Sequence, residues 1–180
     1  MVYTLVVYYK SWNVQLLDEY GMTITVLTKE KAPNQTSFWS FLFPSMCYQT
    51  AFLEKNLTIQ KEEGQTSVLY DEHPVGYISF PTLSLSGYIC TIYLEDQEYR
   101  LIRKIFSTEE FRIVKHKSDL VITFTHIQFQ EDTSILSGFF NFSDTFNLAL
   151  GVYDPSLSQE SILQLTLLAG YCIKSVYSST

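Results

Sequence analysis

Ser158 to Val176 reads SQESILQLTLLAGYCIKSV. Ile162, Leu163, Leu165, Leu167, Leu168, Ala169, Cys172, Ile173 and Val176 fall on every side of a helical wheel. A helix that is apolar all round has to be surrounded by protein or by lipid. The uninterrupted apolar part is short, with Gln164 and Lys174 bracketing it. Apolar stretches of roughly 10–14 residues are more often buried core helices than membrane spans. Asp154-Pro155 opens a turn, Ser158 suits the N-cap, Glu160 sits in the first turn, and Lys174 lies near the C-terminal end, where a cation suits the dipole. Gly170 costs about 1 kcal/mol against Ala inside a helix, which points to close approach by a neighbouring strand.

Upstream of this helix the chain reads as strand. Aromatics make up 16% of the 180 residues, with 13 Tyr and 13 Phe, and such residues favour pleated, half-buried surfaces. Strand-like runs are Val2–Tyr8, Trp12–Leu17, Met22–Leu27, Tyr48–Leu53, Leu57–Lys61, Thr66–Tyr70, Val75–Phe80, Tyr88–Leu94, Tyr99–Ile105, Phe111–Lys115, Leu120–Phe129, Ile135–Phe142 and Phe146–Tyr153. Asp18-Glu19-Tyr20-Gly21, Glu62-Glu63-Gly64, Asp71-Glu72-His73-Pro74 and Glu95-Asp96-Gln97-Glu98 read as turns between them. About a dozen short strands with close turn signals is the pattern of a barrel or sandwich. Runs such as VVYY and GYICTIYL are apolar on both faces, as expected of a sheet packed inside and partly covered outside. The expectation is a mainly β chain forming one domain over 1–180: a closed antiparallel barrel of about twelve strands enclosing a C-terminal hydrophobic helix.

Composition narrows the functions. A net charge of -7 and a pI of about 4.9 oppose nucleic-acid binding. Only 7 glycines occur, with no Gly-x-Gly-x-x-Gly, phosphate loop, Gly-x-Ser-x-Gly or His-Glu-x-x-His. Cys47, Cys90 and Cys172 form neither a disulfide framework nor a zinc spacing. They read as small core hydrophobes in a reducing compartment. MVYTLVVYYK lacks a basic lead and a cleavage site, so a cytoplasmic location is expected, with no transmembrane span. His73, His116 and His126 have no metal-ligand spacing. A Cys47–His126 pair assembled by folding is the enzyme-like reading; without a spaced constellation, no catalytic residue, metal or cofactor is expected.

Two features suggest binding. Arg100, Arg103, Lys104, Arg112, Lys115 and Lys117 lie within one hairpin-sized stretch. Gathered by adjacent strands, they would dock an anionic lipid headgroup or an acidic protein partner. The plainer reading is a solvated face balanced by Glu95, Glu98, Glu109 and Glu110. The second feature is Phe38, Trp39, Phe41 and Phe43, set between Pro33 and Pro44. Exposed, this loop would contact a membrane or partner; buried, it would plug one end of the barrel.

The segments YDEHPVGYISF, YICTIYLEDQEYRLIRKIF and FNLALGVYDPSLSQESILQLTLLAGYCIKSVY follow one another as strands ending in an apolar helix. In this order the chain resembles the tubby C-terminal-like superfamily, which includes tubby proteins, LURP-one-related proteins, phospholipid scramblases and small bacterial relatives. The small bacterial members are the most similar in size. The resemblance implies a barrel around a central helix and a non-enzymatic role in lipid binding, peripheral at the membrane. The alternative is a lipocalin-like barrel carrying a small apolar ligand, with the helix packed outside.

Overall fold

The computed structural model describes residues 3–8, 11–31, 46–52, 55–62, 64–82, 87–104, 110–115, 119–127 and 145–177. Twelve strands appear in chain order: β1 (Thr4–Tyr8), β2 (Asn13–Leu17), β3 (Thr23–Lys31), β4 (Met46–Phe52), β5 (Lys55–Glu62), β6 (Gln65–Tyr70), β7 (His73–Ser79), β8 (Tyr88–Leu94), β9 (Gln97–Arg103), β10 (Glu110–Lys115), β11 (Asp119–His126) and β12 (Thr145–Val152). Among the described residues one helix, α1 (Gln159–Tyr177), follows. Each strand pairs antiparallel with its sequence neighbours, and β1 pairs with β12 to close the barrel. Closure removes the exposed edges that such a long meander would otherwise present. The Phe38–Phe43 loop, Lys117, His116 and the Ile135–Phe142 run lie outside the described residues.

Alternation decides which way each strand faces. Leu5 and Val7 of β1, Leu57 and Ile59 of β5, Leu101 of β9 and Ile113 of β10 are buried in one core cluster. Side chains alternate along a strand, so these rows define the interior. Some outward positions are covered too: Val6 and Thr91 are each 6% exposed.

The helix fills that interior. From Leu163 to Lys174 every residue is buried. The helix packs against β1 and β2 on one side and β8 on the other, and β8 lies diametrically across the ring from β2. Gly170 shows why the helix fits. A Cβ built there would sit 2.5 Å from Val14 Cγ1 and 3.1 Å from Leu5 Cδ1. Gln164 and Lys174, the polar residues bracketing the apolar stretch, are interior as well, at 3% and 1% exposure.

The turns are tighter than the sequence suggests. Asp71-Glu72 and Glu95-Asp96 are two-residue connections, so His73 and Gln97 already belong to the next strands. Both residues of each turn have positive φ, at 46° and 67° and at 47° and 61°. That is the type I′ pattern, whose twist matches the flanking strands. Pro74 sits inside β7 opposite Leu69, where the register shifts, the kind of site at which a strand tolerates proline.

Candidate functional site at the barrel mouth

Every odd-numbered strand runs the same way, so the barrel has two unlike ends. The helix enters at the first, where β1, β3, β5, β7, β9 and β11 begin. Ser158 Oγ accepts the Ser161 N–H at 3.0 Å, the expected N-cap. The Gln159 amide donates to Tyr3 Oη, and Tyr70 Oη donates to Glu160, both at 2.9 Å, tying the first helical turn to two walls. This end carries the acidic turns Asp18-Glu19, Asp71-Glu72 and Glu95-Asp96, with Asp119 and Asp154. Asp18 and Asp71 brace their turns by accepting backbone N–H groups, from Tyr20 and Met22 and from Asn56. Hydrogen bonds from Ser156 hold the Asp154 carboxyl below its usual pKa, and nearby Lys115 adds to the effect.

The helix ends at the opposite mouth, and cations collect there. In β5 the inward row Leu57, Ile59 continues to Lys61; in β9 the row Tyr99, Leu101 continues to Arg103; in β3 the row Thr25, Leu27 continues to Lys29. In β5 and β9 the last inward register position at the mouth is a cation, and in β3 the row reaches Lys29 one position before its end at Lys31. Lys104 follows directly after Arg103 and is exposed. On the helix, Lys174 donates to the Tyr8 carbonyl, with its ammonium 5.4 Å from the centre of the Trp12 ring. Burial pushes the pKa of this lysine down. The Trp12, Tyr48 and Tyr171 rings pack against one another beside it, with centroids 4.9 to 6.5 Å apart. Positive charge here complements the negative end of the helix dipole.

Between the helix end and the β5–β8 wall lies a cavity of about 470 Å³. Phe80, Pro81, Ile89 and Val176 give it apolar walls, and Lys61 and Thr66 line it from the β5–β6 side. Tyr171 lies at its helix side, hydrogen-bonded to Thr66 and Ser175, and burial raises its phenol pKa.

The sequence-predicted basic residues separate along the wall. Arg103 and Lys104 stand at the mouth, and Arg112 lies on the adjacent strand opposite Ile102. Arg100 is further along β9, in an ion pair with Glu98 at 2.8 Å. Lys115 is at the acidic end, 6.0 Å from the centre of the Tyr99 ring. Lys29, Lys61 and Lys174 were absent from the sequence-level candidates. The available signal was the strand row itself, an inward alternation that ends in a cation.

The remaining reactive side chains are dispersed. Cys47 is on β4 and His126 on β11, five strands apart around the ring, so folding does not pair them. Burial, with Glu30 nearby, raises the Cys47 thiol pKa. His126 packs edge-on against Phe146, and its buried Nδ1 has no hydrogen-bond partner among the described residues. Cys172 is fully buried and hydrogen-bonded to Cys90, and burial raises its pKa well above the ordinary thiol value. Raised thiols are poor nucleophiles. Among the described residues no group of His, Cys, Asp and Glu is placed to hold a metal ion, and no helix is long and apolar enough to cross a membrane.

The fold and the site thus define a helix-filled antiparallel barrel with a cationic mouth and an acidic base. No protein-family model matches this chain, and no curated protein or solved structure matches it.

Proposed function

We propose that this is a non-enzymatic binding protein that docks, mouth first, onto an anionic lipid surface. The observation carrying the reading is the segregation of charge between the two ends. Among the described residues, Lys29, Lys61, Arg103 and Lys104 lie where the helix ends and outnumber Glu30 and Glu62 there, whereas the acidic turns where it begins outnumber Lys115. Such a molecule is a dipole despite its net charge of -7. An anionic surface attracts the cationic end and repels the other, which fixes orientation as well as affinity. A peripheral location on the cytoplasmic side of a membrane fits this reading. The order of strands and helix supports the further proposal that the chain is a small member of the tubby C-terminal-like superfamily.

Co-sedimentation with phosphatidylglycerol vesicles tests the docking. Binding should exceed that to phosphatidylcholine vesicles and weaken steeply as salt is raised past roughly 0.15 M. Equal recovery with both vesicle types rejects the lipid reading and leaves an acidic protein as the partner to seek.

A further inference from the structure

We infer that the mouth cavity holds the alkyl chain of a single-chain anionic amphiphile, with its carboxylate on Lys61. The inference deepens the membrane-docking reading, on which it rests for the source of the ligand; it shares Lys61 with that reading, and the apolar walls are its own. A volume of about 470 Å³ lies within the roughly 300–1,000 Å³ of small-molecule sites. Such sites pair apolar walls with a few placed polar groups. The walls here are Phe80, Pro81, Ile89 and Val176, and the charged group is Lys61.

Two further observations set the ligand class. Phe80 is 36% and Val176 41% exposed, so each presents apolar surface that an occupant would cover. Lys61 stands at the last inward position of β5, paired across the sheet with Thr66 of β6, and both line the cavity. A cation at the lip of an apolar cleft matches a molecule with one negative head and one hydrocarbon tail. A neutral alcohol would satisfy the walls alone, and an alkylammonium would set two cations against each other. The barrel interior does not compete as a site, because the helix occupies it. A diacyl lipid has a second chain that this one cleft does not house, which favours a fatty acid.

Titration of the full chain with monomeric decanoate, without vesicles, tests the inference. Decanoate should bind one to one and shift the Ile89 and Val176 methyl resonances. Lengthening octanoate to decanoate adds two methylenes and should tighten binding about fifteenfold, since each buried methylene contributes about fourfold. Decyltrimethylammonium should bind at least about tenfold more weakly than decanoate. Lys61→Met should weaken decanoate while leaving decan-1-ol unchanged. Val176→Trp, at an exposed position, should block both ligands without lowering the melting temperature. Unmoved Ile89 and Val176 resonances at saturation, or equal affinity for decanoate and the alkylammonium, would overturn the inference. Vesicle binding reads out separately. If Val176→Trp still sediments with phosphatidylglycerol while decanoate never binds, the cavity inference falls and the docking reading stands. If decanoate binds while vesicle preference is absent, the reverse holds.

Discussion

The two ends of this barrel are built from the same strands and differ in almost every other respect. At the acidic end, two-residue turns join β6 to β7 and β8 to β9, and carboxylates brace the backbone. At the mouth, inward rows finish in cations, a cavity opens, and most connections between strands are longer, the two-residue β5–β6 link excepted. A β-barrel gains its stability from the wall and the filled interior, so its ends can diverge. One end here is braced by short turns and carboxylates, and the other holds the cavity.

That contrast depends on a helix seated with its start at the acidic end and its finish at the mouth. Gly170→Leu tests the seating with the largest expected effect. The added side chain has to displace Val14 and Leu5, and overpacking a closed core costs about 3 kcal/mol or more. Urea unfolding should show the midpoint fall by a corresponding amount. A loss under about 1 kcal/mol would mean that the helix can shift inside the wall, and the mouth would then have no fixed shape.

Neutralising each end in turn sharpens the contrast in charge. Arg103→Gln with Lys104→Gln removes two cations worth about 1 kcal/mol each near an anionic membrane. Vesicle affinity should fall by about thirtyfold, at a factor of ten per 1.4 kcal/mol. Glu95→Gln with Asp96→Asn, at the far end, should change it by less than about threefold. Equal losses from both pairs would show that the ends are not distinguished by the membrane.

The fold was legible because its signals are local and redundant. The apolar helix has no exposed face to offer, and the strand alternation recurs at short spacing. The site was legible only in part. Arg103 and Lys104 stood out as neighbours in a basic run, yet the same run included Arg100, which Glu98 pairs, and Lys115, which lies at the opposite end. Sequence proximity does not say which end of a strand a residue reaches. Lys29, Lys61 and Arg103 come from three strands and share an end because every odd-numbered strand runs the same way, which requires the whole strand order to be known. Lys174 looked like a helix-end cation, and its burial follows from how deeply the helix enters. The cavity depends on the gap between the helix and the β5–β8 wall, a tertiary distance that no single segment encodes.

Lys174 provides a pH test of the mouth. Burial lowers its folded-state pKa below the ordinary 10.5. At pH values between the lowered pKa and 10.5, the unfolded chain holds a proton that the folded chain has released. Stability contributed by this group therefore rises with pH across that window. The buried tyrosines Tyr48 and Tyr171 have raised pKa values, so above about 10 they lower stability as the unfolded phenols ionise. That second effect is common to the wild type and Lys174→Met. The difference in unfolding free energy between the two proteins should move in favour of the wild type as pH approaches 10. A difference that stays flat from neutral pH upward would mean that the ammonium remains solvated at the mouth.

The smallest expected effect belongs to the acidic end. Glu72 holds a φ of 67° in its two-residue turn, a conformation glycine adopts without the roughly 1 kcal/mol penalty of a side chain. Glycine also makes the unfolded chain more flexible, which offsets part of the gain. Glu72→Gly should therefore stabilise by about 0.5 kcal/mol, a rise of about 1–2 °C in Tm for a chain of this size. Glu72→Ala separates the causes, because it removes the same carboxylate and keeps the backbone strain. If alanine lowers Tm while glycine raises it, the turn geometry is the source of the cost. If both raise Tm equally, and added salt abolishes the gain, crowding of carboxylates is the source instead. The acidic end would then carry an electrostatic load beyond what its turns require, and the contrast with the mouth would be one of charge more than of backbone.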